Sequence, residues 1–406
     1  MPSALPDGEL APADGTLPAS AKEGSGSRDF GLYVHVPFCA VRCGYCDFNT
    51  YTATELEGVS QASYPAQANA EIEFARQVLE SSGVTQRPLS TVFVGGGTPT
   101  LLGPEPLALM LKKARETFGF VDGAEVTVEA NPDSVSAEDL DALKSAGVTR
   151  VSFGVQSSDP SVLATLDRTH NPQRVPEVVQ WAKDAGLQVS IDLIYGTPGE
   201  TLESWRATLL SALELAPDHV SAYALIVEKG TALAARISRG ELAMPDDDLH
   251  AEMYMLADEL FEQAGHSWYE VSNWARTPEH HSRHNHSYWT SQDWWGIGPG
   301  AHSHVGGTRW WNVKHPSAYA SRMGQGVSPA YAREVLGEHA IQMEQILLGI
   351  RLAAGLDASL ISPDRRPLLA EWVSRGLLDG AALLAGRVVP TLQGRLVADF
   401  MARELT

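Results

Sequence analysis

All three cysteines of this 406-residue chain, Cys39, Cys43 and Cys46, fall within eight consecutive positions. Scattered at random, they would crowd so closely with a probability of roughly 3 × (8/406)², on the order of 10⁻³. A count this low and odd offers no disulfide framework, so the fold must stand on its core. The spacing Cys-x3-Cys-x2-Cys puts three thiolates on one short loop, in reach of a single metal centre. Zinc at a structural site takes four protein ligands, and the chain has no fourth cysteine; His35 is a substitute, but it sits inside an apparent strand. An iron–sulfur cluster held by three cysteines keeps one iron free of protein ligands. Such an opening suits a cofactor that must bind the metal directly. The spacing favours the cluster.

The surrounding pattern is repetitive. From Gly31 onward, short β-branched runs near 31–36, 91–95, 125–129, 150–154, 187–192 and 219–224 alternate with helical patterns near 67–82, 104–118, 136–146, 159–167, 172–185 and 201–214. Strand followed by helix, six times over, implies right-handed crossovers and a parallel sheet. Two architectures satisfy this: a partial (β/α)6 barrel of TIM type, or an open doubly wound sheet. The polar chemistry favours the barrel. The cysteine loop follows the first strand, Gly95-Gly96-Gly97-Thr98-Pro99 the second; Glu129 ends the third, Gln156 follows the fourth and Asp192 ends the fifth. Parallel strands bring all five to one rim, where α/β barrels build their sites. The glycine run lacks both dinucleotide spacing and a P-loop lysine, so it is no phosphate cradle.

Composition bounds the rest. With 30 basic and 50 acidic residues the net charge is −20, which argues against nucleic acid as a partner. No apolar run approaches the roughly 18 residues of a membrane span. The first residues have no basic segment leading into an apolar one, so no secretory signal is read there. A cytoplasmic chain of several domains is expected. Residues 1–28, rich in Ala, Gly, Ser and Pro, read as a disordered tail, 29–230 as the barrel, and 231–334 as an α+β extension. Residues 335–406 read as a small helical, winged-helix-like domain, whose seven arginines against eight acidic residues argue against a DNA-reading wing. The extension is unusual: seven of the ten tryptophans lie between Trp268 and Trp311, among His280, His281, His284, His286, His302 and His304. Aromatics also cluster in cores, but an aromatic surface with imidazoles suits a flat iron-bearing macrocycle.

The segment Cys39-Ala-Val-Arg-Cys43-Gly-Tyr-Cys46, with the glycine run behind the next strand, resembles the radical S-adenosylmethionine (SAM) proteins. Tyr33-Val-His-Val-Pro-Phe-Cys39 narrows the likeness to the family of oxygen-independent coproporphyrinogen III oxidases (HemN) and haem chaperones (HemW), from about Leu32 to the C-terminus. The resemblance implies a [4Fe-4S] cluster on Cys39, Cys43 and Cys46, with SAM on the fourth iron. It implies a SAM pocket lined by Tyr33, Tyr45, Gly96, Gly97, Thr98, Glu129, Gln156, Arg168 and Asp192. The oxidase pattern has a further cysteine two positions beyond the third; here that position is Phe48, as in the haem chaperones. His284-Asn-His-Ser-Tyr-Trp289 also matches their His-Asn-x-x-Tyr-Trp motif. The likeness therefore implies haem as cargo, haemoprotein acceptors such as those of the respiratory chain, an electron donor for the cluster, and membrane contact only peripherally through those clients. Coproporphyrinogen oxidation ranks second, and a zinc module a distant third. His284 is the first choice of haem contact, with His286 and His302 in reserve.

Overall fold

The computed structural model describes residues 7–52 and 60–406. Its elements run β1 (Glu9–Leu10), β2 (Phe30–Val36), α1 (Tyr64–Ser81), β3 (Leu89–Gly96), α2 (Pro104–Phe118), β4 (Phe120–Ala130), α3 (Ala137–Ser145), β5 (Arg150–Gln156), α4 (Pro160–Thr165), α5 (Val175–Asp184), β6 (Gln188–Tyr195), α6 (Leu202–Glu214) and β7 (His219–Ala224). Strands β2 to β7 pair in parallel and in sequence order. A doubly wound sheet would reverse its order at a switch point; none exists here, so the barrel reading holds.

Side-chain alternation explains the shape. On β5, Val151, Phe153 and Val155 are buried on one face, while Arg150, Ser152 and Gly154 occupy the other. On β6, Val189, Ile191 and Leu193 alternate with Ser190 and Asp192 in the same way. The apolar face takes the helices, such as α5 with Val175, Val178, Val179 and Ala182 at helical spacing. Each fully buried aliphatic contributes about 1.5–3 kcal/mol. The opposite face is polar because it lines the barrel's interior.

Past the barrel come α7 (Ala232–Ser238), α8 (Asp247–Gln263), β8 (Ser267–Glu270), β9 (Asn273–Ala275), α9 (Arg283–Trp289), β10 (Asp293–Ile297), β11 (His302–Val305), β12 (Thr308–Asn312), α10 (Pro316–Gln325) and β13 (Ala330–Val335). These residues add strands to both edges of the barrel sheet. β9 and β8 continue antiparallel beyond β7, while β10 joins β2 in parallel and leads into the β11–β12–β13 meander. The thirteen-stranded sheet ends at β8 and β1, so the barrel is not closed by strand pairing. The last elements are α11 (Glu338–Gly349), β14 (Leu356–Asp357), α12 (Arg366–Ser374), α13 (Gly380–Leu384), β15 (Arg387–Val388), α14 (Leu392–Leu396) and α15 (Ala398–Leu405). They enclose a core of their own, including Ile346, Ile350, Ile361, Trp372 and Met401, beside the β14–β15 ribbon.

The expectation of a disordered tail at 1–28 needs correction. Residues 1–6 lie outside the described residues, but from residue 7 the segment is packed. β1 pairs with β13, Ala21 is fully buried, and Arg28 meets the buried Asp293 at 2.8 Å. Small residues are what this packing requires: a Cβ on Gly8 would stand 2.7 Å from the Trp311 ring. A composition that reads as disorder here covers a sheet edge.

Candidate functional site

The cysteine loop follows β2 and is braced on all sides. Cys39 N–H donates to the Tyr51 carbonyl at 3.0 Å, Gly44 N–H to Leu166 at 3.0 Å, and Leu233 N–H to the Gly44 carbonyl at 2.8 Å. Among the described residues, no three His, Cys, Asp or Glu side chains converge tightly enough for one metal ion. The thiols do lie within one another's field. Burial and the neighbouring Cys46 push the Cys39 thiol up to about 11, and burial raises Cys46 as well. Burial keeps the Cys39 and Cys46 thiols protonated until a strongly cationic centre stands beside them. Arg168 Nη1 lies 3.6 Å from Cys43 Sγ.

The glycine run is fixed by the close approach of two rim loops. Gly97 N–H donates to the Val36 carbonyl and Thr98 N–H to that of Phe38, each at 2.8 Å. A Cβ on Gly97 would sit 2.9 Å from Cys39 Sγ and closer still to the Phe38 carbonyl. Gly96 has φ +112°, a conformation that glycine adopts freely. Its N–H donates to Glu129 Oε2 at 3.0 Å. Burial and the facing Asp192 push the Glu129 carboxyl up to about 8; burial raises Asp192 too, against the Ser152 hydroxyl that donates to it at 2.9 Å. Two carboxyls facing each other at a barrel rim suit a cationic ligand.

Arg168 is held by the Gly154 carbonyl at 2.7 Å and by His170 Nδ1 at 3.1 Å. Gln156, beside it, takes φ +66°, a strained value for a residue with a side chain, at the end of β5. Tyr45 bonds Cys43 and packs under the loop against the cluster formed by Leu225 and Leu233. Tyr33 lies one layer deeper, its hydroxyl 2.9 Å from His35 Nδ1. Because His35 Nε2 faces the Asn49 carbonyl at 2.9 Å, Nε2 carries the proton and Nδ1 accepts from Tyr33. Of the residues named from the sequence, Gly97 and Arg168 meet the cysteines themselves, and Glu129 meets the glycine run beside them. Asn49 was not singled out. Its Nδ2 donates to the carbonyls of Pro299 (3.0 Å) and Lys314 (2.8 Å), tying the cysteine loop to the extension. No local pattern marks it, since both partners are about 250 residues away in sequence.

The histidines divide sharply. His284, the first choice for haem, is fully buried on the barrel side of α9 and stacks on Phe93 and Tyr33. Thr91 Oγ1 meets its Nδ1 and Tyr288 OH its Nε2, both at 2.8 Å, so neither nitrogen is offered to a ligand. The two backbone N–H groups opening α9 bond Glu125, and this draws His284 inside. His286 and His302 are half-buried, the latter stacked against Trp311. The aromatic stretch is mainly core: Trp274, Trp295, Trp310 and Trp311 are buried between the added strands and their helices.

The profile of the radical SAM superfamily matches residues 33–212. Over 379 residues the chain is 48% identical to a protein named heme chaperone HemW from Mycobacterium tuberculosis (strain ATCC 25618 / H37Rv), covering 93% of this chain and 95% of that one. It is 36% identical over 332 residues to the heme chaperone HemW of Bacillus subtilis (strain 168), covering 80% and 84%. Coproporphyrinogen III oxidase (HemN) from Escherichia coli superposes with a TM-score of 0.80 over 95% of this chain and 92% of its own, at 24% identity. That likeness is one of fold. No helix among the described residues is long and apolar enough to cross a membrane.

Proposed function

The chain belongs to the haem chaperone HemW family of radical SAM proteins, and from that premise we propose that it binds haem and passes it to acceptor haemoproteins, respiratory proteins among them, in the cytoplasm. The observation that carries this reading is the 48% identity over nearly the full length of a protein named for haem delivery. Oxidation of coproporphyrinogen is the weaker alternative, since the structural likeness to that enzyme speaks for fold alone and Phe48 stands where its pattern has a further cysteine.

In this reading Cys39, Cys43 and Cys46 hold a [4Fe-4S] cluster, and Tyr33, Tyr45, Gly96, Gly97, Thr98, Glu129, Gln156, Arg168 and Asp192 line the SAM pocket. When bound, the cluster and SAM supply one-electron chemistry fed by an external donor. The chain's own residues do the rest. The glycine run lets backbone approach the ligand without side-chain obstruction, Glu129 and Asp192 face its positive charge, and Arg168 steadies the thiolate of Cys43.

The test is anaerobic reconstitution followed by addition of haem or of coproporphyrinogen III with SAM and dithionite. Haem uptake and transfer to an apo-haemoprotein, without decarboxylation, is the expected result; decarboxylated porphyrin would promote the oxidase instead. Cys43→Ala should yield a protein without cluster iron or sulfide, checked by iron and sulfide analysis.

A further inference from the structure

Phe48, standing where the oxidase pattern has its further cysteine, opens the segment Phe48-Asn49-Thr50. Folded, these residues make a turn against the cysteine loop, with the Thr50 N–H donating to the Phe48 carbonyl at 2.8 Å. The turn is clamped from several sides. From the barrel layer below, His35 Nε2–H donates to the Asn49 carbonyl at 2.9 Å. From the extension, the Pro299 and Lys314 carbonyls receive Asn49 Nδ2. One residue on, the Tyr51 N–H donates to the Pro37 carbonyl at 2.7 Å, and the Tyr51 carbonyl receives the Cys39 N–H at 3.0 Å. Bonds to so many separate segments fix where the groups of this turn point.

They point at sulfur. Thr50 is 1% exposed, so its hydroxyl needs a partner inside the protein. The Phe48 carbonyl is a poor one, because it lies 3.5 Å away and already receives the Thr50 N–H. Cys46 Sγ also stands within reach, at 4.0 Å, a separation that the size of sulfur still allows. In the free thiol either atom can donate. A thiolate can only accept, and the hydroxyl is then the donor. The Phe48 N–H is directed at the same sulfur, and the hydroxyls of Thr50 and Thr98 flank Cys39. Cys43 has the Arg168 guanidinium at 3.6 Å. Each of the three sulfurs thus faces a donor, and donors favour the thiolate, the form that binds iron.

We propose that Thr50 tunes the reduction potential of the cluster: its hydroxyl donates to the Cys46 sulfur and, with the Phe48 N–H, makes the turn after the third cysteine the element that sets how readily the cluster accepts an electron. The reduced cluster carries one more negative charge than the oxidised one. A hydrogen bond to a ligand sulfur is therefore stronger after reduction, and it raises the potential. The electron comes from the external donor, and no bond to Thr50 forms or breaks. Thr50 acts through Cys46 and is a positioning residue. Asn49, between the two donors, anchors them to the extension.

This role rests on the cluster-bearing reading above, and the experiment separates the two. The full chain and its Thr50→Val, Thr50→Ala and Thr50→Ser variants are reconstituted anaerobically without SAM and assayed for iron and sulfide. Each is then titrated potentiometrically, the reduced cluster being followed by electron paramagnetic resonance. At equal cluster content, Thr50→Val and Thr50→Ala should lower the reduced-to-oxidised ratio at a fixed potential by about threefold to tenfold. Tenfold corresponds to about 59 mV for one electron. Thr50→Ser, which keeps the hydroxyl, should keep the wild-type potential. Electron–nuclear double resonance of the reduced wild type should show a proton coupling that vanishes in deuterated water and is missing from Thr50→Val. If the wild type assembles no cluster, the reading of the three cysteines fails and Thr50 with it. If it does, and Thr50→Val and Thr50→Ala share its potential or Thr50→Ser shifts as far as they do, only the role of Thr50 is overturned. Should valine block cluster assembly, alanine against serine decides by the same criterion.

Discussion

A carboxyl held neutral at pH 7 marks the rim at the scale of single residues. Glu129 is pushed from 4.5 up to about 8 by burial and by Asp192. The sign follows from linkage: the unfolded chain releases this proton first, so the stability it contributes is full below about pH 4.5 and lost as the pH rises through about 8. Thermal unfolding of cofactor-free protein should therefore show a smaller decline across that interval for Glu129→Gln than for the wild type. Equal declines would mean that Glu129 is solvated and ionised like an ordinary surface acid. Arg168 and the three cysteines belong to the same scale, and all of them were legible in the sequence. Glu129 and the cysteines sit at a strand end or in the loop after one, and strand ends follow from local alternation, whereas Arg168 lies beyond α4 and was named through the family resemblance.

Among the elements, α9 depends on a contact made beneath it. Seven residues make no stable helix alone, and this one is held by a buried ion pair beneath it. Glu125 accepts the N–H groups of Arg283 (2.9 Å) and His284 (3.1 Å) and pairs with Arg150 at 3.2 Å. Arg150 in turn donates to the carbonyls of His280 (2.8 Å) and His281 (3.0 Å). Removing one partner strands the other in a dry interior, so Arg150→Met should cost about 3–5 kcal/mol of stability, measured by chemical denaturation. A loss within ordinary surface values would mean that water reaches Glu125. Nothing in the sequence announces this arrangement. Glu125 and Arg150 read as parts of two barrel strands, and only the folded chain brings the segment from His280 to His284 across them.

For the whole molecule, residues 7–30 and the extension act together on one side of the barrel sheet. Asp293, at the start of β10 and fully buried, receives Arg28 at 2.8 Å, Arg87 at 2.9 Å and the Gly306 N–H at 2.9 Å. It joins the N-terminal segment, the barrel and the meander at one point. Asp293→Ala should cost about 3 kcal/mol or more and open the N-terminal segment to proteolysis before the barrel unfolds. Limited digestion checks this, and an N-terminus as resistant as in the wild type would show that β1 and its neighbours hold without the ion pairs.

The sequence by itself determined the three-cysteine loop, the six alternating units and the rim they share, because each follows from spacing or periodicity over a few residues. Tertiary structure alone decided which histidines are buried, where the tryptophans go and how residues 7–28 pack. Those depend on contacts such as Thr91 with His284 or Arg28 with Asp293, separated by 193 and 265 positions. Local patterning has no information about such pairs; chain closure around a shared core supplies it.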